Sequence, residues 1–170
     1  MTLSNMVIHP LSAEMIPLLV DAFEAANWSK PTALFETYLS EQQEAQRFIW
    51  VAYLENKVAG YITLKKKSSY LPFQNNAIPE IMDFNVLPNF RNQGIGSRLL
   101  ETAEKKAFTL HHKVGLGVGL YADYGQALKL YFKNGYQPDG LGVTYQYQPV
   151  APGSQVTLDD DLVLWFTKSR

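Results

Sequence analysis

Cysteine is absent from this 170-residue sequence. That absence excludes a disulfide framework, a thiolate nucleophile and any cysteine-based zinc site. A surplus of charge is missing as well: 15 Lys and Arg stand against 16 Asp and Glu, a formal net charge of −1. So even a balance sets up no long-range field for holding nucleic acid, and no nucleic-acid partner is expected. No apolar run approaches the roughly 20 residues a membrane helix needs, so no membrane partner is expected either. The leading stretch "MTLSNMVIHPLSAEMIPLLV" lacks a basic start and is broken by Glu14 and Pro17, so it does not read as a signal peptide. A cytoplasmic location fits these absences. His9, His111 and His112 lack metal-ligand spacing, and neighbouring histidines in a strand point to opposite sides, so no metal site is expected. No G-x-S-x-G elbow occurs, which removes the commonest serine hydrolase reading.

Apolar residues make up 46% of the chain and charged residues 18%, a balance that requires a globular fold with a core. The length suits one domain over residues 1–170, and no repeat, low-complexity block or linker stands out. Val7 to His9 reads as a first strand. Met15, Leu18, Leu19, Ala22, Phe23 and Ala26 then fall at helical spacing, with Ser12 as candidate cap and Pro17 a blemish in the first turns. A second helix is predicted from about Pro31, with Leu34, Phe35, Tyr38 and Leu39 on one side.

"RFIWVAYLENKVAGYITLKKK" reads as a hairpin turning at Glu55 and Asn56, and "IPEIMDFNVL" as a further strand. A helix after Gly94 carries Ile95, Leu99, Ala103 and Ala107 on one side and pairs Glu101 with Lys105 on the other. "HKVGLGVGLY" reads as a strand whose alternating glycines mark closely packed backbones. "YGQALKLYFKNGY" reads as a helix stopped at Gly135. Strands near Thr144 to Gln148 and Leu162 to Thr167 complete the chain. This order calls for an α/β fold with a mixed sheet covered by helices on both faces.

The stretch "NVLPNFRNQGIGSRLLETAEKK" combines a strand end, Arg91, the glycine pair Gly94 and Gly96, and a helix start. Backbone N–H groups at the positive end of a helix attract anions, and glycines leave the approach open. A diphosphate can therefore touch the amides of residues 93 to 97, with Arg91 as a charged donor; the bland alternative makes both glycines simple turn residues. A Walker loop is excluded because Ser97 and Arg98 follow Gly96, and a dinucleotide fingerprint because position 99 is Leu99.

"VLPNFRNQGIGSRLL" closely resembles the acyl-coenzyme A signature of the GNAT superfamily of N-acetyltransferases: Arg91, Gly94 and Gly96 match the motif, and Val86, Pro88 and Phe90 its usual approach. "ALKLYFKNGYQPDG" resembles a second segment of the same superfamily through Ala127, Leu130, Tyr131, Gly135 and Tyr136. The resemblance implies the GNAT fold, a mixed and mostly antiparallel sheet flanked by helices. It also implies acetyl-CoA as co-substrate and direct transfer of its acetyl group to a primary amine, with no metal.

It implies a cofactor site at Arg91, Asn92, Gln93, Gly94, Ile95, Gly96 and Ser97 for the diphosphate, and at Phe84, Asn85 and Val86 for the pantetheine arm. The backbone of that same strand is the expected oxyanion donor. Tyr131 is the candidate acid for the leaving thiolate, its alternative role being an aromatic on the buried face of its helix. Glu80 or Asp83 is the candidate base, and three-residue spacing puts them on opposite faces of a regular strand. Where many members carry an asparagine that helps hold the coenzyme, this chain has Tyr124, whose hydroxyl, or Asp123, is the candidate replacement. The "DDD" run at 159 to 161 reads as a turn, and Trp28, Phe35 and Tyr38 as core. A non-catalytic acyl-CoA sensor is the competing reading, and the chain is expected to be a monomer or homodimer.

Overall fold

The computed structural model describes residues 5–170. Residues 1–4, which open the stretch weighed above as a signal peptide, lie outside the described residues. Two compact units emerge from the internal packing. One holds the described residues to Lys66 together with Met82–Lys106, the other Lys67–Ile81 with Ala107–Arg170.

The first unit opens with β1 (Met6–Pro10), α1 (Met15–Ala25), α2 (Thr32–Gln43), β2 (Arg47–Leu54) and β3 (Lys57–Lys65). β1 pairs antiparallel with β2, and β2 with β3. The β2–β3 turn is made by Glu55 and Asn56 alone, both with positive φ (51° and 62°), the two-residue turn whose twist suits a hairpin. Leu19, Phe23, Phe35, Tyr38, Ile49, Val51 and Tyr61 form the core beneath the two helices. α2 is tied to the sheet by polar contacts too. The Gln42 amide donates to the Leu11 carbonyl at 2.8 Å and accepts from the Ile49 N–H at 3.2 Å. Buried Arg47 pairs with Glu41, donates to Thr63 Oγ1 at 2.9 Å and lies over the Tyr38 ring.

Two helix starts differ from the sequence reading. Glu14, not Ser12, occupies the N-cap of α1, and the Ser12 hydroxyl is buried with no hydrogen-bond partner. Pro17 therefore falls in the first turn, where a missing N–H costs no helical hydrogen bond. Pro31 is the extended N-cap residue of α2 instead of a first-turn residue.

The second unit contains α3 (Leu71–Asn75), β5 (Lys113–Gly119), α5 (Gly125–Lys133), β6 (Gln137–Tyr145), β7 (Gln148–Pro149) and β8 (Leu162–Ser169). β8 pairs antiparallel with β5 and with β6, and β6 with β7. α3 has no counterpart in the sequence reading; the strand expected over Thr144 to Gln148 is split by a turn at Gln146 and Tyr147 into the end of β6 and the start of β7, and β6 begins seven residues before Thr144. Gly140 and Gly142, both with φ above 80°, interrupt it at a register shift between Pro138 and Val143. The glycines of β5 face side chains, mostly aromatic rings with Val163 beside Gly117, and not other backbones. A Cβ on Gly115 would lie 2.2 Å from the Phe73 ring, on Gly117 2.9 Å from Trp165, and on Gly119 2.3 Å from Tyr124. Tyr70 and Trp165 stack nearly parallel, 4.1 Å between centroids.

The remaining strand, β4 (Glu80–Val86), begins in the second unit and continues in the first, as does the long helix α4 (Ile95–Leu110) in reverse. β4 pairs parallel with β5 at Glu80↔Gly115 and Ile81↔Leu116. The sheet is therefore mixed and mainly antiparallel, and the fold is the α/β class expected from the element order. His111 and His112 sit in the turn between α4 and β5, and their rings approach to 4.2 Å instead of pointing apart, because that turn is not extended. Among the described residues no helix is long and apolar enough to cross a membrane, and no group of three or more His, Asp or Glu is placed to hold a metal ion.

Candidate functional site

The glycine stretch has the backbone its residues allow. After a short helical turn at Pro88–Phe90, Asn92 and Gly94 both take positive φ (59° and 81°), and α4 starts at Ile95. Asparagine and glycine are the residues that enter this region at least cost. Ile95, Leu99 and Ala103 are buried and hold the helix down, while Asn92, Gln93, Gly94, Ser97 and Arg98 are exposed. The first N–H groups of any helix lack intrahelical acceptors, so the opening of α4 presents donors at its positive end. Arg91 is held beside them by its Nε, which donates to the Val86 carbonyl at 3.1 Å. Gln93 Nε2 donates to the Asn89 carbonyl at 3.0 Å, and so braces the loop from within. A loop of small or outward-facing residues, a guanidinium and a helix mouth together have the chemistry to attract an anion.

β4 is irregular just before this loop. Asp83 has φ 46°, a left-handed value inside a strand. Such a residue breaks the regular ladder and bends the chain, so the strict alternation of faces assumed for Glu80 and Asp83 does not apply across it. β3 comes close at the same place: a Cβ on Gly60 would lie 2.3 Å from the Asn85 carbonyl oxygen, and the Leu87 N–H donates to the Ala59 carbonyl at 2.9 Å. The Asn85 side chain donates to Asp83 Oδ1 at 2.7 Å. Phe84 and Val86 are half-buried.

The two candidate bases have different fates, and neither is the surface carboxylate that strand ends commonly carry. Glu80 is 4% exposed and accepts a hydrogen bond from the Ser68 hydroxyl in the second unit. Asp83 is the centre of a polar cluster in the first unit. Tyr38 and Tyr61 donate to its Oδ2 at 2.8 and 2.7 Å. Asn85 and Lys30 reach its Oδ1 at 2.7 and 3.4 Å. Burial, then the adjacent Asp83 charge, pushes both phenols above their ordinary range, so they stay neutral donors.

Tyr131 lies on α5 in the second unit, buried, with its ring edge-on to Tyr136 at 5.7 Å. Burial alone pushes its phenol up. Gly135, with φ 86°, ends the helix, and the Tyr136 N–H closes on the Tyr131 carbonyl at 3.1 Å. Tyr124 donates to Asp160 at 2.8 Å, and Tyr121 donates to the same carboxyl oxygen. The hydroxyl put forward as a coenzyme contact therefore already has a partner, and the acidic run at 159 to 161 is a turn pinned by tyrosines. Sequence reasoning missed Lys30 and Tyr61. Tyr61 was legible only as an inward strand position, and Lys30 carried no signal at all.

A strand broken at Asp83, a glycine-bearing loop and the opening of α4 lie together in the first unit. The chain belongs to the acetyltransferase (GNAT) family, whose model matches residues 13–136. Among solved structures it is similar to ribosomal-protein-alanine N-acetyltransferase from Brucella melitensis, at 18% identity and TM-score 0.70, covering 96% of this chain and 99% of that one. It is similar to spermidine N-acetyltransferase from Vibrio cholerae in complex with CoA and spermine, at 16% identity and TM-score 0.67, covering 98% and 96%. It is also similar to Arabidopsis thaliana Naa50 in complex with a bisubstrate analogue, at 17% identity and TM-score 0.65, covering 98% and 99%. No curated protein matches the chain.

Proposed function

We propose that the chain is an N-acetyltransferase that uses acetyl-CoA and acetylates a primary amine on a small molecule or protein, working as a single domain over residues 1–170. The observation that carries this reading is the glycine loop, where positive φ at Asn92 and Gly94 leads into the open mouth of α4 with Arg91 fixed alongside. Similarity to a structure in complex with CoA, and to one in complex with a CoA-containing bisubstrate analogue, supports the same co-substrate.

Acetyl-CoA, when bound, supplies a thioester-activated acetyl group. The chain's own residues supply the rest. Amides of residues 93 to 97 and the Arg91 guanidinium hold the diphosphate. Backbone at Phe84, Asn85 and Val86, just past the break at Asp83, lines the pantetheine arm and offers a preorganised N–H to the developing oxyanion. Tyr131 gives its proton to the departing sulfur. The phenol's ordinary value of about 10 already lies above a free thiol's of about 8.5, and burial raises it further; a thiolate released into the same desolvated site is raised in the same direction.

Asp83 is favoured over Glu80 for the acceptor side: it borders the early helices, and its partners include hydroxyls able to relay a proton. The test is coenzyme A release across an amine panel, read with a thiol reagent. The reading expects amine-dependent release that falls by about 10²-fold or more in Tyr131→Phe, the range for loss of a general acid. Acetyl-CoA binding with no amine-dependent release would instead identify a sensor.

A further inference from the structure

Trp28, Tyr61 and Asp83 form a cage around an ammonium group, and the group inside it is the chain's own. Lys30 Nζ lies 5.3 Å from the Trp28 ring centroid, 5.9 Å from that of Tyr61 and 3.4 Å from Asp83 Oδ1. One carboxylate and two aromatic faces are the chemistry that recognises an alkylammonium.

The cage does not need Lys30 to stand. Asp83 is fixed by Tyr38, Tyr61 and Asn85 at 2.7 to 2.8 Å, and the Lys30 contact is the longest of the four. Tyr61 is 0% exposed and gripped edge-on by Phe23 and Phe35, while Trp28 rests against Phe23. Lys30 itself comes from the segment between the end of α1 and the start of α2, and its side chain is 18% exposed. It can swing out without unwinding a helix, leaving a preformed, partly desolvated ammonium site open to solvent.

We propose that this cage binds a primary alkylammonium ligand and that Lys30 is a tethered competitor for it. Identifying that ligand with the acetyl acceptor rests on the function proposed above; the competition does not. A tethered amine has an effective concentration in the millimolar range, so only a ligand that contacts the cage better than lysine does, or that is abundant, displaces it. The apparent affinity is the intrinsic one multiplied by the fraction of cages Lys30 leaves open. An N–H directed at Asp83 Oδ1 is part of the recognition, so a primary ammonium is preferred over a quaternary one, which has no N–H.

The experiment is an NMR titration of the folded full-length chain with n-butylammonium in the absence of acetyl-CoA, comparing wild type with Lys30→Met. Methionine keeps an unbranched stem and drops the charge. The expected result is a dissociation constant about tenfold lower in Lys30→Met, as follows if Lys30 fills the cage nine-tenths of the time. Adding Asp83→Asn to Lys30→Met should remove the binding, and tetramethylammonium should bind more weakly than n-butylammonium. Should the Asp83 variant fail to fold, the wild type serves alone: saturating butylammonium should move the Lys30 Cε resonance to the position of an exposed lysine. Equal affinity in wild type and Lys30→Met, or an unmoved Lys30 resonance at saturation, overturns the proposal. Because no acetyl-CoA is present, a failure of cofactor binding leaves this result untouched.

Discussion

The Tyr61 hydroxyl donates to Asp83 Oδ2 at 2.7 Å from a ring packed edge-on against Phe23 and Phe35, at 5.4 and 5.3 Å. The pair joins the apolar core of the first unit to Asp83, a strand residue with left-handed backbone, so core packing and the polar cluster share a side chain. Tyr61→Phe keeps the ring and removes the donor. A hydrogen bond to a charged acceptor contributes about 1.5 to 3 kcal/mol. Urea denaturation should show the midpoint of Tyr61→Phe lowered by an equivalent amount with an unchanged slope.

Gly115 and Gly125 give opposite expectations for the same substitution. A Cβ at Gly115 meets the Phe73 ring at 2.2 Å, while at Gly125 nothing lies within 4 Å. Phe73 is itself wedged against Tyr70 and Trp165, so it has little room to yield. Gly115→Ala should destabilise by about 1 to 3 kcal/mol through overpacking. Gly125→Ala, at φ −59° in the first turn of α5, should stabilise by about 0.4 to 1 kcal/mol through the unfolded state. Thermal melts of the two variants beside wild type check both signs.

Alkaline pH should unfold the protein through its tyrosines. Tyr38, Tyr61, Tyr70, Tyr124 and Tyr131 are all pushed above the ordinary value, burial being the largest cause in each. The sign follows from proton counting. Below a pH of about 10 both states keep these protons and stability is intact. Above it the unfolded chain releases protons that the folded chain retains, so stability falls progressively as pH rises. Melting temperatures should decline steadily from pH 10 upward. Phenolate absorbance near 295 nm should rise in two parts, exposed tyrosines first and the buried set only with unfolding.

Most of the fold was legible because its elements carry strong local signals. The Glu55–Asn56 turn, the apolar stripe of α4 and the Gly135 stop are each encoded within a few residues, and each stands where expected. α3 escaped because five residues, "LPFQN", hold too few turns to show a period. The early part of β6 escaped because Pro138, Gly140 and Gly142 read as breakers, although pairing with β8 overrides them. The loop half of the candidate site was visible as a contiguous motif. The Asp83 cluster was not, since its members come from positions 30, 38, 61, 83 and 85 and only folding brings them together.

Acetyl-CoA binding to the loop at Arg91–Ser97 is the claim on which the functional account stands, and isothermal titration of the folded protein measures it directly. The account predicts one saturable site per chain. Arg91→Ala should weaken it by about 1.5 to 3 kcal/mol, the size of a lost charge-assisted contact, and leave the melting temperature unchanged. No detectable heat at millimolar acetyl-CoA, or binding indifferent to Arg91, would contradict it.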